Sequence, residues 1–400
     1  MNKKKVSIIL MFFIAVLSTF VFVKNNSNVE ITNEVNNKSK KNRNLLTMNL
    51  EQTAGAGDYK TVTQSEWPTE GYKFNTELSR CENGSELSWD DVNKKILMSG
   101  VSADKCYVYF DIARFDKLCN TSTLACHVAK LYTGTQGENG IYYHNTSLTN
   151  GAGDNNYRYA GANPNNYICL GSDATTCPDD NLFRIIGVFG DKVKVIKDKS
   201  VVKMHWDTSY YNTWSISSLN TYLNGTYLTS IGTLSDKIDV ATWKVGGNTW
   251  DNISVSTAKE VYDYEIKNPS TTASTGETEY SAKIGLMYVS DYMFAVLQDN
   301  WTLVAYNSND ATKDYRAVKA ENWLYLGSDE YTITRSSKYS FEVFAIYSSG
   351  EVYSYSVSCN SDEPLPCSVY AKYARPSFYL ISSVEYSGGT GTSSDPIRIK

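Results

Sequence analysis

The chain has 400 residues and a formal net charge of −5, with 20% of residues charged, a length that allows two or three domains and at least one sizeable core. An acidic balance excludes nucleic acid as a natural partner, since that needs a basic footprint. The 31 Tyr far outnumber 13 Phe and 8 Trp; Tyr, Thr and Trp favour strands while Asn, Ser and Gly favour turns, so a β-rich fold is expected.

In chain order, MNKKK precedes 18 uncharged residues, Val6 to Val23. That run is overlong for a signal-peptide core and long enough to span a bilayer, and no A-x-A site follows it. It predicts a signal-anchor transmembrane helix over residues 1–24. Lys3, Lys4 and Lys5 stay cytoplasmic and the bulk of the chain lies outside the cell membrane; cleavage would make the protein secreted. Removing residues 1–25 takes four Lys and no acid, leaving an ectodomain of charge −9.

Residues 25–65 are polar and read as a flexible stalk. Residues 66–115 predict a small β-module: Leu87-Ser88-Trp89 and Lys95 to Met98 flank the turn Asp90 to Asn93, and Cys106 to Phe110 alternates into a third strand. Residues 116–400 form the expected main domain, with its core in 182–400. Leu118 to Tyr132 predicts a short helix, and Gly134 to Asn166, rich in Gly, Asn and Tyr, reads as one long packed loop. Leu182 to Lys197 is the clearest hairpin, turning at Gly190-Asp191 as type II′, with Val188 facing Val193 and Ile186 facing Val195. Its strands are apolar on both faces, which places them inside a sheet.

Beyond the hairpin, Ser215 or Ser217 caps a helix that Gly225 ends. Ala258 to Ile266 is a further helix candidate. Ala282 to Val289, Asn322 to Leu326 and Ile397 to Ile399 read as strands, and Phe341 to Ser358 as a second hairpin.

Eight cysteines fall into four neighbouring pairs: Cys81/Cys106, Cys119/Cys126, Cys169/Cys177 and Cys359/Cys367. None has C-x-x-C spacing, so four structural disulfides in an oxidising compartment are expected over zinc or redox thiols.

The ordered segments FRIIGV, WSISSLNTYLN, KIGLMYVSDY, NWLYLGS, GEVY and ARPSFYL resemble an uncharacterised domain-of-unknown-function family of exported proteins in low-GC Gram-positive bacteria. That resemblance covers roughly Leu182 to Lys400. It implies an architecture similar to the C-type-lectin-like and formylglycine-generating-enzyme fold: a central antiparallel sheet with a few short helices and long ordered loops. The expected fold class is therefore α+β, β-rich and C-type-lectin-like, plus the small N-terminal β-module. No functional residue carries over. The late pair Cys359 and Cys367 brackets SDEPLP and does not match the formylglycine active-site cysteines. Glu363-Pro364-Leu365 and Asn322-Trp323-Leu324 break both calcium-ligand triplets of the lectins.

Chemistry is sparse. His127, His144 and His205 lack any metal-binding spacing and read as solvated or packed side chains. No G-x-S-x-G, P-loop or dinucleotide fingerprint occurs. Asp173, Asp179, Asp180 and Asn181 have the residue types of a calcium loop without EF-hand spacing; turn residues look the same, and no cofactor is expected. Asp329 and Glu330, adjacent on a strand, point to opposite faces and make a poor glycosidase pair. Trp206, Trp214, Trp250, Trp301 and several Tyr are sugar-stacking candidates, although most Trp fill cores. Arg184 and Arg375 sit in apolar surroundings and call for internal ion-pair or carbonyl partners. The expectation is a membrane-tethered extracellular surface protein, a non-enzymatic binding module for glycan or protein. An envelope hydrolase, a formylglycine-type oxidase and a purely structural surface protein are the alternatives.

Overall fold

The computed structural model describes residues 45–400 apart from 53–55, 64–66, 69–70, 92, 102, 249–252, 270–276 and 358–370. The signal-anchor expectation, Trp250 and the Cys359/Cys367 pair lie outside the described residues. Among those described, no helix is long and apolar enough to cross a membrane. The fold is β-rich with few short helices, and the chain divides into two compact units at Leu118/Cys119.

The first unit contains β1 (Leu45–Glu51), β2 (Tyr59–Val62), β3 (Tyr72–Phe74), β4 (Arg80–Cys81), β5 (Glu86–Asp90), β6 (Lys95–Ser99) and β7 (Lys105–Ile112). Its main sheet runs β2-β1-β7-β3, with β4 also on β7, while β5 and β6 pair separately. The stalk reading is corrected here over 45–62. β1 lies parallel to β7 from Leu45↔Lys105 to Leu50↔Phe110 and puts Met48 and Leu50 into a core with Val108 and Phe110. Leu46, Met48 and Leu50 alternate as a strand should, but over a single strand length among Asn and Lys. Cys81 and Cys106, directly opposed on β4 and β7, form a disulfide.

The second unit contains β8 (Ile141–His144), β9 (Asn156–Tyr159), β10 (Tyr167–Cys169), β11 (Leu182–Phe189), β12 (Lys192–Lys197), β13 (Val202–Met204), β14 (Ala241–Lys244), β15 (Gly247–Asn248), β16 (Glu279–Ala282), β17 (Ile284–Gly285), β18 (Glu330–Ser336), β19 (Glu342–Ile346), β20 (Val352–Ser356), β21 (Lys372–Ala374), β22 (Ser377–Tyr379), β23 (Tyr386–Gly388) and β24 (Arg398–Ile399). One sheet runs β17-β22-β12-β11-β9-β8 with β10 on β11; another runs β13-β21-β18-β19-β20 with β15 on β18. The hairpin β11–β12 thus occupies the middle of its sheet. Gly190 has φ +62, as a type II′ turn requires at its first position. Val188 faces Val193 as expected, but a register shift at Gly187 brings Ile185, not Ile186, opposite Val195.

Three other readings are corrected. Within the predicted loop Gly134 to Asn166, β8 and β9 pair from Ile141↔Tyr159 to His144↔Asn156; their tyrosines are buried on both faces, so no alternation marks them. Asn322 to Leu326 is a turn, because the Asn322 side chain accepts from its own Leu324 N–H, an Asx-type local bond that competes with a ladder. The helix capped by Ser217 runs past Gly225 as a π-helical turn, Leu223–Tyr227. The core of this unit collects Trp206, Trp214, Trp243, Leu219, Ile333 and Val343.

Candidate functional site

Cys169 ends β10, and its disulfide to Cys177 closes a short loop whose backbone leaves the sheet through Gly171 at φ +73. Asn181 Nδ2 holds the base of that loop by donating to Leu170 O at 2.7 Å. Arg398 on β24 clamps its far side: Nη1 donates to Ser172 O at 3.1 Å and Nη2 to Thr175 O at 3.0 Å. β24 is itself placed by the bridge between Ile168 and Ile397. The loop, the 3-10 turn Gly232–Lys237 and the β23–β24 ribbon line an open cavity of about 580 Å³.

Leu234 and Ile399 line it together with the hydroxyl-bearing Ser172, Thr175, Thr233 and Ser387. The charged groups are Asp173, Lys237, Arg398 and Lys400. Lys237 Nζ donates to the Lys400 main-chain oxygen at 2.5 Å. Among the described lining residues Asp173 is the one acidic side chain, and no His stands among the hydroxyls. The arrangement can bind and orient a hydroxyl-rich ligand.

Replacing Cys169 and Cys177 by Ser is expected to cost about 2–3 kcal/mol on the loop-closure argument. Urea denaturation without reductant checks this, and an unchanged midpoint would show that Arg398 and Asn181 hold the loop unaided.

The predicted site residues scatter. Asp179 is engaged by Lys199 at 2.5 Å and Asn181 by the loop base, so only Asp173 of the proposed calcium set faces the cavity; the three aspartates form no metal-holding group among the described residues. The one such group there, Cys81, Asp104 and Cys106, contains the disulfide. His127 stacks on Tyr386 at 3.6 Å, far in sequence from His144, which is wholly buried and accepts from Ala152 N–H. Cys119–Cys126 is also a disulfide. Trp206, Trp214 and Trp301 are fully buried and cannot stack on a ligand. Exposed aromatic surface comes instead from Tyr211, Tyr339, Tyr353 and Tyr373; of these Tyr353 on β20 meets Tyr306 at 5.3 Å and Tyr347 at 5.8 Å, and the Y-S-Y spacing that sets Tyr353 and Tyr355 on one face was its signal.

Arg375 and Arg184 take internal partners. Arg375 Nε pairs with Glu330 at 2.5 Å and Nη2 donates to Leu324 O. Arg184 Nε donates to Asn166 Oδ1 at 2.8 Å and lies 4.0 Å from the Tyr167 ring centre, burial pulling its pKa down to about 10. Asp329 pairs with Lys372 at 2.8 Å and Glu330 with Arg375, so these two carboxylates do not act together.

A charge network that sequence reasoning missed lies against the β11–β12 hairpin. Lys194 on β12 pairs with Asp291 at 2.5 Å, both almost wholly buried. The Tyr288, Trp243 and Tyr379 rings surround the ammonium at 4.5–5.6 Å. Arg158 on β9 grips Asp154 through two nitrogens, and Tyr262 Oη donates to the same carboxylate. Burial opposes ionisation of Asp154, yet the Arg158 guanidinium overrides it and holds the carboxyl well below its usual range.

Glu265 accepts from Val289 N, Ser290 N and Thr334 Oγ1 at the start of the helix Val289–Phe294. Burial pushes its carboxyl from the usual value to about 7. A raised folded-state pKa means stability that is full below the unfolded value, near 4.5, and lost as pH climbs through about 7. Buried His144, held neutral by burial, works oppositely, gaining stability as pH rises toward 6.5. A comparison with Glu265→Gln cancels the His144 contribution. From pH 4.5 to 8 the variant is expected to gain about 3 kcal/mol on wild type, at 1.36 kcal/mol per unit. A pH-independent gap in denaturation midpoints would contradict a neutral Glu265.

No family model, no curated protein and no solved structure matches this chain.

Proposed function

We propose that the protein is a non-enzymatic glycan-binding module displayed outside the cell, tethered through its N-terminal apolar segment, with a C-type-lectin-like larger unit. The observation that carries this reading is the cavity behind the Cys169–Cys177 loop. Its volume of about 580 Å³ falls within the roughly 300–1,000 Å³ of small-ligand sites, whereas a protein partner would use a broad, flatter patch. Hydroxyl-bearing residues from three separate chain segments, Ser172 and Thr175, Thr233, and Ser387, line it, which suits a ligand that is itself mostly hydroxyls. Two ordered loops pinned by disulfides and an antiparallel sheet beneath them are what the lectin-like resemblance leads one to expect. The export reading draws support from the three disulfides.

The test is a glycan array probed with the full-length, detergent-solubilised chain. Retention of at least one saccharide class without its turnover is the expected result. Turnover of a retained saccharide would favour the envelope-hydrolase alternative, and no retention of any saccharide would contradict the binding-module reading.

A further inference from the structure

We propose that the buried Lys194–Asp291 pair is the site of a self-catalysed cross-link, an amide bond between Lys194 Nζ and Asp291 Cγ formed with loss of water. Lys194 lies on β12 and Asp291 in the first turn of the helix Val289–Phe294, 97 positions away. The fold nonetheless holds Nζ 2.5 Å from Oδ2, with the two side chains 1% and 5% exposed. Groups fixed at such a separation react as parts of one molecule, and effective molarities of well-oriented pairs reach about 10⁵–10⁸ M.

The surroundings favour the amide over the ion pair. An ammonium has three N–H donors, and among the described residues Asp291 is the one hydrogen-bond acceptor of Lys194 Nζ. The rings of Tyr288, Trp243, Tyr379 and Phe189 stand around it at 4.5–5.7 Å. Buried charges with incomplete hydrogen bonding are costly, and an amide removes both at once. Burial pulls the Lys194 pKa down and the Arg158 cation adds to this, which favours the neutral amine, the nucleophilic form. Tyr288 N–H donates to Asp291 Oδ2 at 2.8 Å, where it stabilises the charge that oxygen gains as Cγ is attacked. Glu265 takes the next two amides, Val289 N at 2.9 Å and Ser290 N at 3.0 Å, so both carboxyl groups meet at one turn. With burial raising its pKa to about 7, Glu265 is suited to carry a proton at neutral pH.

The step balances without another reactant. The ammonium passes one proton to the Asp291 carboxyl, and the amine lone pair attacks Cγ to form the N–C bond. The nitrogen gives a second proton, through Glu265, to Oδ1; the Cγ–Oδ1 bond breaks and water leaves. Nothing is oxidised or reduced. Oδ2 remains as the amide oxygen on Tyr288 N–H, and β12 is tied to the helix by a bond that reductant does not cut, unlike the three disulfides.

Peptide mapping by mass spectrometry of the full-length, reduced and denatured chain tests this. The expected result is a branched peptide joining the segments that carry Lys194 and Asp291, lighter by one water than their sum. Lys194→Arg and Asp291→Ala are expected to lose it, and Glu265→Gln to slow its formation tenfold or more. Separate, unmodified peptides from the wild-type chain would overturn the cross-link and leave a plain ion pair. A bond formed equally fast in Glu265→Gln would overturn the proton-carrying role. The wild-type map decides the bond even if a variant fails to fold, and the linked fraction it reads is fixed before any unfolding comparison at position 291.

Discussion

Asp291→Ala is expected to destabilise the second unit by about 3–5 kcal/mol, the scale set by leaving a buried charge without its partner. Lys194 is 1% exposed; besides Asp291 it faces aromatic rings and feels the repelling charge of Arg158. Those rings attract a cation but do not replace a carboxylate at 2.5 Å. Burial already pulls the Lys194 pKa down, so without Asp291 the ammonium is expected to lose its proton on folding. Asp291 has a second task, since its Oδ2 accepts from Tyr288 N–H at 2.8 Å and caps the helix Val289–Phe294. Asp291→Asn keeps an acceptor for that cap and removes only the charge. It should therefore recover the part due to capping, about 1 kcal/mol, and no more. Lys194→Met in the Asp291→Ala background should restore much of the remainder, because an apolar pair in place of a buried ion pair is often near neutral. Urea denaturation of the single and double variants measures the coupling. Strict additivity would mean that the pair contributes nothing jointly.

Gly187→Ala is expected to cost more than the roughly 1–3 kcal/mol of an overpacked core side chain. A Cβ there would stand 2.0 Å from Tyr157 O, 3.0 Å from Tyr157 C and 3.1 Å from Arg158 Cα. All three are backbone or backbone-bound atoms of β9, and none can swing aside. The methyl group would push β9 off β11, taking with it the Arg158–Asp154 pair that burial makes dependent on tight geometry. Gly190 is the control. It sits at φ +62 with nothing within 4 Å of an added Cβ, so Gly190→Ala should cost only the left-handed conformation, about 1–2 kcal/mol. Equal losses at the two positions in chemical denaturation would show that β9 yields easily and that its approach to Gly187 is loose.

The hairpin was readable because its apolar runs span a strand length and Gly190-Asp191 specifies the turn. The local cysteine pairs were readable because short spacings leave few geometries, and Cys81/Cys106, Cys119/Cys126 and Cys169/Cys177 are bonded as expected. What escaped has a physical reason each time. Ile141–His144 and Asn156–Tyr159 bury Tyr, Arg and His on both faces, so the period of two that betrays a half-buried strand is missing. Nothing local in KVKVIK marks Lys194 as half of a buried ion pair, since charge normally marks a wet face. Only its partner 97 positions away makes it a core residue. The register shift at Gly187 depends on the approach of β9, which no local pattern encodes. The cavity was half legible: its cysteine-closed loop was visible, but Lys237 and Arg398 reach it from distant segments.

The central claim is that the ligand sits between the Cys169–Cys177 loop and β24. Hydrogen–deuterium exchange of the full-length chain, with and without the tightest saccharide from the array, tests it most directly. The expected result is slower exchange confined to residues 170–177, 232–237 and 398–400. Protection centred instead on Tyr353 and its strand, or none anywhere despite measurable binding, would contradict the assignment.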